Sequence, residues 1–117
     1  VTFAQPVTRN IGPCLVELVF QYEQEGICVP AGYRYDGASI PRFAWSLIGL
    51  SPFGPIIGPA TIHDWCYCNG GWVDEDTHLP KVIADKVFLA LMLRAGIVRH
   101  RAWIAYWAVR LFGRYSV

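Results

Sequence analysis

Near the middle of the chain His63 and Asp64 stand side by side, with Tyr67 four residues after the histidine and Asp85 farther on. An imidazole takes and returns protons near neutral pH, and a carboxylate on one ring nitrogen fixes the tautomer and leaves the other nitrogen as a base. His63 is therefore the candidate catalytic base and Asp85 its orienting partner. Tyr67 shares the histidine's face, because residues four apart on a helix are neighbours. Asp64 points about 100° away from His63. It does not easily bond to the imidazole, yet it can line the same cleft as a metal ligand. Asp36 and Gly37 add oxygens to that candidate metal set, with Gly37 letting the backbone come close. Carboxylate and carbonyl oxygens suit a hard cation such as calcium. The competing expectation is a buried polar network of the same residues that locks two helices together.

These residues need helices to hold them. Pro59 suits the first turn of a helix that carries Thr61, His63, Asp64, Trp65 and Tyr67 and stops at Asn69-Gly70-Gly71. An acidic loop from Trp72 to Leu79 follows. Pro80 then opens a second long helix that ends at Ala95-Gly96. The loop is short, so the two helices are expected to pack antiparallel, which gives Asp85 the chance to face His63. A third helix covers Arg99 to Phe112, and its stretch Ala102 to Val109 is apolar on every side, a pattern of burial or of contact with a membrane. Upstream, Leu15 to Tyr22 is an apolar, β-branched and aromatic run. Glu23 to Gly26 makes a polar turn, Ile27-Cys28-Val29 a second short strand, and Tyr33-Arg34-Tyr35 a further extension. A short helix is expected from Pro41 to Leu50. The expected fold is a single α+β domain over 1–117, mainly helical. A small N-terminal antiparallel sheet is followed by a bundle of about four helices, two of them antiparallel and carrying the His-Asp site.

Other candidates fall away on spacing. His63, Cys66 and Cys68 scatter zinc ligands around one helix. Ser39 lies in no nucleophile motif, His78 sits in a polar loop, and His100 stands among arginines. There is no glycine-rich phosphate loop, dinucleotide fingerprint or nucleic-acid motif, so nucleic acid is not the expected partner.

Composition narrows the partners. The 117 residues are 54% hydrophobic and only 16% charged, against about 45–50% and about 25% in ordinary soluble domains. Such a chain has an unusually rich core or an apolar surface for a partner or a lipid. The net charge of +1 hides an asymmetry, since no acidic residue follows Asp85 while Lys86, Arg94, Arg99, Arg101, Arg110 and Arg114 do. That basic, aromatic third suits phosphates, a membrane or an acidic partner, or simply rims a packed helix. The uncharged run after Arg42 carries Pro52, Pro55 and Pro59 and several glycines, which rules out a transmembrane span there. No signal peptide is recognised at the start. Two disulfides are arithmetically available from Cys14, Cys28, Cys66 and Cys68, but free thiols are expected.

Taken in order, three stretches resemble a family of short uncharacterised proteins from tailed phages and prophages, a domain of unknown function. They are Val29-Pro30-Ala31-Gly32-Tyr33-Arg34-Tyr35-Asp36-Gly37-Ala38-Ser39-Ile40-Pro41-Arg42, Ile62-His63-Asp64-Trp65-Cys66-Tyr67, and Ala84-Asp85-Lys86-Val87-Phe88. The closing Tyr106-Trp107-Ala108-Val109-Arg110 also fits, and the resemblance covers most of the chain from about Leu15. It implies a phage origin, and with it a virion or an infected bacterial cell as the location. Separately, His63-Asp64-Trp65-Cys66-Tyr67 is similar to the His-Asp-x-Cys-Tyr active-site helix of phospholipase A2 enzymes. That resemblance implies a water-activating His63, a calcium-binding Asp64, and an Asp85 that orients the histidine and is held by Tyr67. The cysteine those enzymes carry just before the second-helix aspartate is here Ala84.

Two functions follow as expectations. One is a metal-assisted, calcium-type hydrolase of lipid or envelope esters. The other is a non-catalytic phage virion or assembly protein, of head or tail, which meets other phage proteins through its apolar surface.

Overall fold

The computed structural model describes residues 3–12, 15–35 and 56–113. Among these residues two small antiparallel sheets precede three helices. Strands β1 (Thr8–Gly12), β2 (Leu15–Leu18) and β5 (Arg34–Tyr35) form one sheet with β2 in the centre. Strands β3 (Tyr22–Gln24) and β4 (Ile27–Val29) form a hairpin. The hairpin's two-residue loop is Glu25-Gly26, both at positive φ, 53° and 76°. Two consecutive residues of that hand match the twist of paired strands, and glycine takes the second position at no steric cost.

The helices are α1 (Ile57–Cys68), α2 (Lys81–Arg94) and α3 (Arg99–Phe112). The α+β class stands, with three helices among the described residues instead of about four. The helix expected over Pro41 to Leu50 lies outside the described residues, as do Asp36, Gly37, Ser39 and Cys14. Strand β1 was not expected. Its sequence Thr-Arg-Asn-Ile-Gly carries no apolar alternation, and it is held as a partner of β2, with Thr8 opposite Leu18 and Asn10 opposite Val16. Helix α1 starts two residues ahead of Pro59, which therefore falls in its first turn, where a missing N–H costs nothing.

Helix α1 is the centre of the molecule because both of its long faces are used. One face meets the strands. The backbone N–H of Gly58 donates to Gln5 Oε1 at 2.9 Å, the hydroxyls of Thr61 and Tyr35 hydrogen-bond at 2.5 Å, and Tyr33 OH donates to Asp64 Oδ2 at 2.7 Å. The opposite face, with Ala60, His63 and Tyr67 at helical spacing, meets α2 and α3. His63 contacts Phe88 and Asp85, and Tyr67 lies one turn along against Asp85 and Lys81. Residues later on α1 thus pair with residues earlier on α2, so the two helices run antiparallel as expected.

Two apolar clusters fix this arrangement. Leu18, Tyr22, Ile27 and Val29 of the strands pack on Ile62 and Cys66 of α1 and Leu91 of α2. Ile56 and Ala60 pack on Phe88 and Met92, which meet Ala102, Ala105, Ala108 and Val109 of α3. Three alanines on one side of α3 let it approach α2 closely. Full burial of a side chain such as Phe88 or Leu91 contributes roughly 2–3 kcal/mol.

Candidate functional site

Asp85 sits one turn into α2 and is fully buried. Four donors converge on its carboxylate. Oδ1 lies 2.8 Å from His63 Nε2 and accepts from Tyr67 OH at 2.5 Å. Oδ2 accepts from Lys81 Nζ at 3.1 Å and from an Arg110 guanidinium N–H at 3.0 Å. The four donors come from all three helices. Lys81 reaches Asp85 by the i,i+4 spacing within α2. Its ammonium also donates to the carbonyls of Val109 at 2.8 Å and Arg110 at 3.2 Å, satisfying two oxygens in the last turn of α3, where the helix dipole favours a cation.

Burial alone would raise the Asp85 pKa, because it penalises the charged form. The hydrogen bonds from His63, Tyr67 and Arg110 outweigh it and bring the carboxyl down to about 2. Asp85 is therefore ionised at neutral pH and can only accept. The proton in its bond to His63 must then belong to Nε2, and the lone pair of a neutral ring stays on Nδ1. The His63 side chain is 1% exposed. Its ring stacks on Phe88, with centroids 4.4 Å apart, and leans on Tyr67 at 4.1 Å. Burial pushes its pKa below the ordinary histidine value, more than the Asp85 carboxylate lifts it. His63 is thus a neutral imidazole with a fixed tautomer. Among the described residues Nδ1 has no hydrogen-bond partner, and no buried side-chain nitrogen or oxygen is left without one.

Asp64 projects from the other side of α1, against Tyr33. Burial and the nearby Asp64 carboxylate raise the Tyr33 pKa, so this phenol stays protonated and donates. The candidate residues therefore divide. His63, Tyr67 and Asp85 meet in one network, Asp64 belongs to the strand-facing side, and Asp36 and Gly37 lie outside the described residues. Among the described residues no three His, Cys, Asp or Glu side chains gather into a metal cluster. A hard cation at Asp64 would need oxygens from elsewhere, and the described part of the chain does not complete a ligand set.

The cysteines behave as separate groups. Cys66 is buried among apolar side chains, which pushes its thiol up to about 12, while Cys68 is exposed on another face. Cys28, Cys66 and Cys68 are free thiols. His78 is exposed, with Nε2 3.1 Å from the Gly70 carbonyl oxygen.

Sequence reasoning missed Lys81 and Arg110. The i,i+4 spacing of Lys81 and Asp85 was a usable signal. Arg110 offered only its position, as the charge that follows the apolar stretch of α3.

No solved structure matches this chain. Among curated proteins, "Uncharacterized protein y4jT" of Sinorhizobium fredii is 37% identical over 86 residues. That match covers 73% of this chain but only 23% of the relative, so the chain spans less than a quarter of that protein's length. The family described as "Protein of unknown function (DUF1353)" matches residues 14–109, a span that holds every member of the Asp85 network except Arg110. The chain belongs to the DUF1353 family.

Proposed function

We propose that this is a phage-encoded hydrolase of lipid or envelope esters, with His63 as general base and Asp85 and Tyr67 as the groups that orient it. One observation carries the reading: His63 Nε2 lies 2.8 Å from the buried Asp85 carboxylate, and with that carboxylate ionised the ring proton belongs to Nε2 and Nδ1 is the basic nitrogen. In the proposed step Nδ1 takes a proton from water as the water oxygen bonds to the ester carbonyl carbon. The imidazolium so formed is stabilised by Asp85. It then gives its proton to the departing alcohol oxygen as the carbon–oxygen bond breaks, which restores the neutral ring. A pKa below the ordinary histidine value keeps the base unprotonated at neutral pH. The resemblance to phospholipase A2 enzymes adds calcium, held by Asp64 with the Asp36-Gly37 loop, as the group that would polarise the carbonyl. No step above depends on it.

A second reading has its own support. His63 and Asp85 are almost wholly enclosed, as in a polar lock between helices of a phage virion or assembly protein. The two readings separate on activity. The purified chain is assayed on phospholipid and simple ester substrates beside His63→Ala, with the fold of the variant checked by circular dichroism. Turnover lost in a folded variant supports the hydrolase, and full residual turnover sinks it. Calorimetric titration with calcium, with Asp64→Asn as control, tests the metal separately. Saturable binding that the variant loses places a cation at Asp64, and no binding by either protein removes calcium from the proposal.

A further inference from the structure

Helix α3 turns its alanines inward and its largest apolar side chains outward. Trp103, Trp107, Ile104 and Leu111 are 41%, 53%, 38% and 70% exposed. At about 100° per residue these four fall within a single arc of about 100°. Tyr106, buried below them, packs edge-on against both tryptophans, with centroids 5.5 and 5.4 Å away, and holds the indoles outward. A contiguous exposed apolar face of this kind marks a contact surface.

Charge selects the partner. Arg99 lies just beyond the Trp103 edge of the arc and Arg101 beyond the Ile104 edge. Among the described residues neither enters an ion pair. No Asp or Glu occurs anywhere after Asp85. The α3 of a second copy docking through the same face would bring no acidic side chain to these arginines. A surface of anionic headgroups instead offers phosphates to the arginines and a headgroup zone that favours indole rings. The 14-residue helix is about 21 Å long, short of the roughly 30 Å hydrocarbon core. Among the described residues no helix is long and apolar enough to cross a membrane. Such a helix lies in the plane of the interface.

We propose that the outer face of α3 is a docking surface for anionic lipid, with Trp103, Ile104, Trp107 and Leu111 entering the headgroup region and Arg99 and Arg101 meeting lipid phosphates. Docking needs no turnover and stands apart from the chemistry assigned to His63.

The test is partition of the full chain onto vesicles of equimolar phosphatidylglycerol and phosphatidylcholine, compared with phosphatidylcholine alone. Sedimentation and tryptophan fluorescence report the bound fraction. Expected are preference for the anionic vesicles, a blue shift on binding, and weakening by salt. Trp107→Ser with Leu111→Ser should lower partition about tenfold or more, as should Arg99→Gln with Arg101→Gln. All four side chains are exposed or at the helix rim, and circular dichroism checks that the variants fold. His63→Ala should bind like the wild type, so loss of hydrolysis and loss of docking are read independently. Absence of partition at low salt, or partition that both double variants leave unchanged, overturns the proposal. A dimer in analytical ultracentrifugation that Trp107→Ser with Leu111→Ser dissociates, with no vesicle binding, overturns it too and assigns the face to a second copy.

Discussion

Replacing Asp85 with asparagine should invert the tautomer of His63. In the wild type two neutral donors meet Oδ1 and two cations meet Oδ2. Asparagine of the same shape has one acceptor oxygen and one NH2 group. Turning the NH2 toward Lys81 and Arg110 would set donor against two positive donors, so the amide oxygen faces the cations and the NH2 faces His63. Nε2 must then accept, and the ring proton moves to Nδ1. Two charge-assisted hydrogen bonds become bonds to a neutral oxygen, each weaker by about 1 kcal/mol, and the Tyr67 hydroxyl loses its carboxylate for another ~1–3 kcal/mol. The sum, roughly 3–5 kcal/mol, matches the cost of breaking a buried ion pair. It falls within the ~5–15 kcal/mol total stability of a small domain, so the variant should fold with a much reduced urea midpoint. Ring nitrogen-15 shifts report the tautomer directly, with Nε2–H in the wild type and Nδ1–H in the variant. In a hydrolase the inverted ring should cost on the order of 10⁴ in turnover. An unchanged Nε2–H tautomer with a stability loss below about 1 kcal/mol would refute the assignment of Asp85 as the group that holds the ring.

Acid should act in two stages. Burial lowers the His63 pKa, so its share of stability is complete above the unfolded-state value of about 6.5 and is lost as pH falls below it. The depressed Asp85 pKa adds a second loss that begins near pH ~4 and continues towards about 2. His63→Gln should flatten the thermal midpoint between about pH 6.5 and 4, and a wild-type midpoint that is already flat there counts against the burial argument. Lys81→Met should destabilise by ~2 kcal/mol in urea, because it uncovers the carbonyls of Val109 and Arg110 and leaves Asp85 one cation short. Gly113→Ala should cost ~1–3 kcal/mol, since its Cβ would stand 2.7 Å from Tyr67 Cε2 and 2.7 Å from the Val109 carbonyl oxygen. Gly96→Ala is the control, with φ +89° and nothing near its Cβ, and should show only a backbone cost of about 1 kcal/mol.

The three helices were legible because their punctuation is local. Pro59, Pro80, Asn69-Gly70 and Gly96 mark ends whose chemistry needs no tertiary partner, and Arg99 to Phe112 was read to the residue. The contact between His63 and Asp85 was legible because a short loop forces antiparallel packing. Strand β1 was not, because its only reason to be extended is the neighbour it pairs with. The one-sided exposure of α3 was hidden for a related reason. A stretch that is apolar all round does not say which residues turn inward, and the answer came from the three alanines, the side chains small enough for close helix packing. Arg110 was missed because its partner lies 25 residues away on another helix.

The Asp85 network is a costly way to hold helices together. Its charges lose hydration on burial, and well-packed apolar side chains in the same volume stabilise as much or more. Phe88, Met92 and Val109 already show that this core can be apolar. An apolar core cannot supply a histidine of fixed tautomer. Fixing it requires Asp85 to stay ionised where burial favours protonation, since a protonated carboxyl could serve either tautomer of the ring. Lys81 and Arg110 meet that requirement from the oxygen that His63 does not use. The cations secure the charge on Asp85, that charge sets the proton on Nε2, and the proton on Nε2 leaves the lone pair on Nδ1. Under the proposed function each link prepares Nδ1 as the base, while the same contacts also tie the three helices together.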